Sequence, residues 1–97
     1  MTFYTIHPRE IDAILMKKQA LLIDVRDREA YRNEHYRNAL NCPYEEIDCW
    51  IHRFPRGRAL LLYCDYGSTS LLAARRLAKE GYEVYTVIGG IHAIKRD

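Results

Sequence analysis

The residue types that could do chemistry gather in one short stretch, Cys64-Asp65-Tyr66-Gly67-Ser68-Thr69-Ser70. It follows Ala59 to Tyr63, a run of five apolar residues introduced by Pro55-Arg56-Gly57. It leads into Ser70 to Glu80, where Leu71, Ala74, Leu77 and Ala78 recur at helical spacing. A strand, a tight loop and a helix in that order put the thiol at the carboxyl end of a strand. There it faces the free N–H groups of a helix start. Those amides and the helix dipole stabilise negative charge on sulfur. Gly67 lets the backbone curl so that successive amides turn inward as an anion-binding nest. A thiolate held this way is a nucleophile at neutral pH. The alternative is that Cys64 is a small hydrophobe ending a buried strand. At this level both readings stay open.

The elements that must position the loop read as one alternating series. Phe3 to Ile6 is a short apolar-aromatic strand, and His7-Pro8 opens a helix carrying Ile11, Ile14 and Leu15 up to Lys17-Lys18. Leu21 to Val25 is a continuous apolar run broken only by Asp24, as expected of a strand covered on both faces. Asp27 to Glu34 reads as a short exposed helix with Asp27 near its start, and Ala39 to Cys42 as an extended piece stopped by Pro43. Glu45 to Phe54 places Ile47, Trp50, Ile51 and Phe54 on one helical face. The helix Ser70 to Glu80 takes Gly81 as its C-cap, Glu83 to Ile88 is a further strand, and a short last helix starts at Ile91 after Gly89-Gly90. Strands alternating with helices predict an α/β fold: a central, mainly parallel five-stranded sheet with helices on both faces.

Composition narrows the function classes. Ninety-seven residues suit a single domain spanning 1–97. A net charge of +2 is too small to imply nucleic acid or a membrane surface as partner. The longest stretch free of Asp, Glu, Lys and Arg, Val84 to Ile94, is shorter than the roughly 20 residues of a membrane span. Met1-Thr2-Phe3-Tyr4 lacks the basic and apolar regions of a signal peptide. Three cysteines, at 42, 49 and 64, form no C-x-x-C and no His/Cys ligand spacing, so neither a disulfide framework nor a metal site is expected. The expectation is a reduced, cytoplasmic protein.

Four motifs in order resemble the single-domain rhodanese, or rhodanese-like, sulfurtransferases. "Hydrophobic strand, Asp, Val, Arg" appears as Leu22-Ile23-Asp24-Val25-Arg26. "Tyr/Phe-x-x-Gly-His-Ile-x-Gly-Ala-x-Asn-Ile-Pro" appears as Tyr31 to Pro43, with Glu34 and Asn38 in place of the two glycines. "Tyr-Cys-x-x-Gly-x-Arg-Ser" appears as Tyr63 to Ser70, with Thr69 in place of the arginine. "Gly-Tyr-x-x-Val-x-x-Leu-x-Gly-Gly" is approximated by Gly81 to Gly90, one residue shorter. The resemblance implies a rhodanese-like fold and a catalytic Cys64 that takes sulfane sulfur from a donor, thiosulfate or a protein persulfide, and passes it to a thiol acceptor. It implies Asp65, Tyr66, Gly67, Ser68, Thr69 and Ser70 as the binding loop, and no cofactor or metal.

The departures set further expectations. Thr69 offers one hydroxyl where a guanidinium would fork onto an oxyanion, and the Asp65 carboxylate opposes an anionic donor. Thiosulfate should therefore be a weak donor unless Arg75, Arg76 or another base reaches in. The alternative function is a catalytically weak or inactive binding or regulatory module on the same fold. Phosphatases of related fold clamp phosphate with Cys-x5-Arg, but the sixth residue after Cys64 is Ser70, which argues against phosphoryl transfer. Asp24 and Arg26 are expected to orient loops, His35 to satisfy backbone groups near the sheet, and Tyr63 and Tyr85 to sit in the core. Tyr66 is expected at the loop's entrance. Cys42 is expected to be a small core residue and Cys49 a structural or partly exposed thiol.

Overall fold

Alternation of side chains along a strand decides which face each one serves. In β4 (Leu60–Tyr63), Leu60 and Leu62 point to one face and Leu61 and Tyr63 to the other, all fully buried. Cys64 continues the Leu60–Leu62 parity and joins the same core cluster. The computed structural model describes residues 2–96. Its strands are β1 (Phe3–Ile6), β2 (Leu21–Asp24), β3 (Leu40–Asn41), β4 and β5 (Val84–Val87). They pair in parallel throughout, in the order β1-β5-β4-β2-β3. The helices are α1 (Ile11–Lys18), α2 (Arg28–Asn33), α3 (Ile47–Trp50), α4 (Ser68–Lys79) and α5 (Gly90–Arg96).

The sheet divides the core in two. Residues of α3 and α4 (Ile47, Trp50, Ala73, Ala74, Leu77) pack with Ile23, Leu60, Leu62 and Val84. Ile11 of α1 and Ile91 of α5 pack with Leu22, Leu61, Tyr63, Tyr85 and Val87 on the other face. This is the expected α/β sandwich with helices on both faces. None of the described helices is long and apolar enough to cross a membrane.

The chain leaves β2 toward the edge strand β3 and leaves β4 in the opposite direction toward β5. The carboxyl ends of neighbouring β2 and β4 therefore flank a switch point, where a crevice must open because the two connections diverge. The Cys64 loop lies there because it follows β4.

Several elements differ from expectation for local reasons. The helix expected over Glu45 to Phe54 is a 3-10 turn, Tyr44–Glu46, followed by the single α turn of α3. Its apolar face is buried as expected at Ile47, Trp50 and Ile51, but Pro55 disfavours helical backbone at Phe54. The Trp50 indole N–H also donates to the Pro43 carbonyl at 2.9 Å, which holds the segment close to its start. Helix α4 starts at Ser68, two residues early, and Glu80 rather than Gly81 is its C-cap. Asp27 caps α2 as expected, accepting from Ala30 N–H at 2.8 Å. His35 is exposed; it stacks on Tyr31 and, as expected, meets a backbone group, with Nδ1 2.8 Å from the Tyr31 carbonyl, but that carbonyl belongs to α2 rather than to the sheet. Asn38 adopts φ 64°, the left-handed conformation a glycine would otherwise supply, while Glu34 is extended at φ −169° and needs no glycine.

Candidate active site

Cys64 follows the last residue of β4, and its Sγ lies where the backbone of the loop turns into α4. The Gly67 N–H donates to Sγ at 3.1 Å and the Ser70 N–H at 3.2 Å. The thiol also lies 3.4 Å from Ser70 Oγ. The curl that aims these amides needs φ 111° at Gly67, a conformation side-chain-bearing residues rarely adopt. The expected run of successive inward-turned amides narrows in this geometry to two, Gly67 and Ser70, three positions apart.

The loop is held from below and behind. Ser70 is fully buried; its hydroxyl donates to the Gly67 carbonyl at 3.2 Å and accepts from Thr86 Oγ1 at 2.8 Å. The first amides of α5 clamp the loop's carbonyls, Ile91 N–H on Cys64 O at 2.8 Å and His92 N–H on Asp65 O at 3.3 Å. Gly90 makes this approach possible, because a Cβ there would lie 2.4 Å from both the Cys64 and Asp65 carbonyl oxygens. That steric demand accounts for a glycine far from the cysteine in sequence.

An open cavity of about 320 Å³ meets the sulfur at the switch point. Cys64, Asp65 and Thr69 line it from the β4 side; Val25 to Arg28 line it from the β2 side, and Pro43 to Glu46 close it. Tyr66 and Ser68 do not line it. They border a separate shallow groove with Leu71 and Ile88, and the Tyr66 ring stacks on His92 at 4.2 Å between centroids. The loop thus divides its side chains: Cys64, Asp65 and Thr69 face the cavity, Ser70 lies buried beneath the sulfur, and Tyr66 and Ser68 face away.

The guanidinium that reaches the cysteine loop is that of Arg26, and it is already committed to carboxylates. Its guanidinium forks onto the buried Asp24 carboxylate, with Nη2 at 2.8 Å and Nε at 3.1 Å. Nη2 also donates to the Glu34 carbonyl at 2.5 Å, and Nη1 reaches Asp65 Oδ1 at 3.4 Å. Burial works against the charge on Arg26, but Asp24 more than offsets it and holds the guanidinium above its ordinary value. Asp24 and Arg26 tie the β2 loop to the cysteine loop, as the loop-orienting reading expects. Arg75 and Arg76 do not line the cavity, and Arg76 is paired with Asp48 at 2.6 Å. Sequence reasoning missed Arg28, Glu45 and Glu46 as wall residues. Their signal was topological: they follow β2 and β3 at the carboxyl edge of the sheet.

Expected outcomes for two residues, Ser70 and Cys42, arise here. Ser70→Ala removes the acceptor of the buried Thr86 hydroxyl as well as the hydroxyl beside the sulfur. It should cost about 1–3 kcal/mol in urea unfolding. Cys42 and Cys49 line a different cavity, with Arg28, Trp50 and Arg53. Cys42 is half-buried rather than fully in the core, and burial pushes its thiol up from 9.0 to about 11, with Arg53 pulling the other way. At pH 8 it should hold about a hundredfold less thiolate than an unperturbed thiol, readable as slow alkylation. Because the fold favours the protonated form, this stabilisation is complete below pH 9 and is lost as pH rises toward 11. Unfolding midpoints measured across that window should fall less steeply in Cys42→Ala.

Comparison with known proteins converges on one family. The profile of the rhodanese-like domain matches residues 7–97. A curated relative, the thiosulfate sulfurtransferase GlpE of Coxiella burnetii, is 30% identical over 96 residues, covering 98% of this chain and 90% of the relative. A tRNA sulfurtransferase of Desulfurococcus amylolyticus is 32% identical over 85 residues, which is 88% of this chain but 16% of that protein. Among solved structures, a rhodanese homologue of the extremely thermophilic bacterium Thermus thermophilus superposes with a TM-score of 0.74 at 37% identity, covering 92% of this chain and 98% of its own. A rhodanese-related protein of Thermoplasma volcanium shares the fold, with a TM-score of 0.87 at 22% identity over 96% of this chain and 91% of its own. The cysteine loop after β4, the Asp24–Arg26 fork after β2 and the glycines before α5 lie within the matched residues, and the chain belongs to the rhodanese-like domain family.

Proposed function

We propose that this chain is a sulfurtransferase or persulfide carrier in which Cys64 is the nucleophile. The observation that carries this reading is the Gly67 and Ser70 amides converging on Sγ at the mouth of a cavity. In the donor step, the Cys64 thiolate attacks the outer sulfur of a donor. A bond forms between the two sulfurs and the donor's own bond to that sulfur breaks, so thiosulfate would leave as sulfite and a persulfide would leave as its parent thiolate. Cys64 then carries the persulfide, whose negative charge stays beside the same two amides. In the acceptor step, a thiolate attacks the terminal sulfur, takes it, and releases the Cys64 thiolate. Asp65 and Thr69 contact the donor, while Gly67 and Ser70 hold the reacting sulfur; no metal or organic cofactor takes part. Tyr66 and Ser68 belong to the loop but act outside the cavity.

Thiosulfate is a weak donor in this reading. Thr69 brings no charge, and both guanidiniums lining the cavity already have carboxylate partners, Arg26 with Asp24 and Arg28 with Glu46 at 2.8 Å. A dianion entering the cavity meets no uncommitted cation. The test is intact-mass analysis after exposure to inorganic polysulfide and, separately, to thiosulfate, followed by peptide mapping. The expected result is one added sulfur on Cys64, more complete with polysulfide. No sulfur on Cys64 with either donor would support a binding module on the same fold instead.

A further inference from the structure

The cavity that meets Cys64 has a sign opposite to that of the molecule. The chain carries a net charge of +2, yet four carboxylates, Asp27, Glu45, Glu46 and Asp65, line this cavity against two guanidiniums, Arg26 and Arg28. The guanidiniums are also the more committed groups. Arg26 is spent on buried Asp24 behind the wall as well as on Asp65, so its charge is largely cancelled before it reaches the cavity. Arg28 is paired with Glu46. Glu45 is exposed and has no ion-pair partner among the described residues, and Asp65 keeps about half of its side chain open to solvent at a long 3.4 Å contact. What approaches the sulfur therefore experiences a negative rim around a reactive group that is itself anionic as thiolate or persulfide.

We infer that the thiol acceptor of this site is cationic: a small thiol whose positive charge lies within a few ångströms of its sulfur. This rests on the sulfur-transfer reading above and names its acceptor class. The chemistry favours it twice. Both reactants in the acceptor step are anions, the Cys64 persulfide and the acceptor thiolate, so their encounter is opposed by charge unless the acceptor carries a compensating cation. The carboxylate rim adds to that repulsion for an anionic acceptor and becomes attraction for an ammonium group. The step itself balances without any further reagent. The acceptor thiol loses its proton to solvent and its sulfur bonds to the terminal sulfur. The Cys64 S–S bond breaks, and Cys64 is left as thiolate beside a new small-molecule persulfide.

Three acceptors that share a mercaptoethyl body isolate the charge: cysteamine, N-acetylcysteamine and 2-mercaptoethanesulfonate. The protein is loaded with inorganic polysulfide, desalted, checked for sulfur on Cys64 by mass, and mixed with each acceptor in a single turnover. Rates are expressed per thiolate. The expected order is cysteamine, then N-acetylcysteamine, then 2-mercaptoethanesulfonate, each separated by about tenfold at low salt. That figure follows from about two- to sixfold per unit of rim charge for charges about 8–10 Å apart in partly solvated protein. Added salt should slow cysteamine and speed the sulfonate. Glu45→Gln should cut the cysteamine to N-acetylcysteamine ratio by about two- to sixfold. Equal rates, the reverse order, or a ratio unmoved by both salt and Glu45→Gln overturns the inference while leaving sulfur transfer standing. Failure to load Cys64 at the mass check overturns both.

Discussion

Cys64→Ser is expected to abolish sulfur transfer, by at least about 10³-fold, while leaving the fold intact. The substitution is close to isosteric, and the serine hydroxyl can accept the same Gly67 and Ser70 amides that now point at sulfur. Stability should consequently change by less than about 1 kcal/mol. What is lost is chemical: an alcohol is a far weaker acid than a thiol, and two amides do not make it an alkoxide at neutral pH. An oxygen nucleophile also cannot carry the persulfide on which the second half of the reaction depends. Cys42→Ser and Cys49→Ser are the controls, because both residues line another cavity. Each should keep transfer within about twofold. The measurement is the rate of sulfur release to a fixed thiol acceptor, with mass mapping of the loaded protein. Sulfur transfer surviving in Cys64→Ser, or sulfur found equally on Cys49, would remove Cys64 from the mechanism.

The part of the site built from contiguous residues was legible in the sequence. An apolar strand, a glycine-bearing loop and an amphipathic helix determine where a cysteine between them must stand, and strand parity assigns Cys64 to the Leu60–Leu62 face. Asp24 was legible too, as the one polar residue in an otherwise apolar strand. The cavity walls were not. Asp65 finds its ion-pair partner in Arg26, 39 positions away, and Arg28 finds Glu46, 18 positions away. Charges on loops follow no period, so only the strand order reveals that the turns after β2, β3 and β4 share one crevice. The segment from Tyr44 to Phe54 shows the complementary failure. Its apolar spacing named Ile47, Trp50 and Ile51, which are buried, and Phe54, which is only partly so, but Pro55 and the Trp50 indole bond reduced a helix to a 3-10 turn and one α turn. Periodicity reports which side chains are buried more securely than how far the hydrogen-bond ladder runs.

If cavity charge limits donor choice, Thr69→Arg should raise kcat/KM with thiosulfate by about 10- to 100-fold. A charge-assisted hydrogen bond contributes about 1.5–3 kcal/mol, and Thr69 is on the first turn of α4, facing the cavity. In the single variant, however, the new guanidinium has Asp65 beside it and part of its charge will be absorbed there. Asp65→Asn alone removes one opposing charge and releases Arg26 Nη1, whose contact to Asp65 is the longest of that guanidinium's bonds at 3.4 Å. It should give a smaller gain than Thr69→Arg. The two changes share a partner, so they should not be independent: the double variant should exceed the product of the singles. An alkyl persulfide donor carries at most one negative charge and no dianionic headgroup for a guanidinium to fork onto, so it should respond severalfold less than thiosulfate to each of them. The experiment is kcat/KM for both donors across wild type, the two singles and the double at fixed ionic strength, with unfolding midpoints confirming that each variant folds. Equal gains for both donors would place the limit in loop geometry rather than charge. A flat thiosulfate response in folded variants would mean that the Arg26–Asp65 and Arg28–Glu46 pairs already give a dianion all the cation it can use.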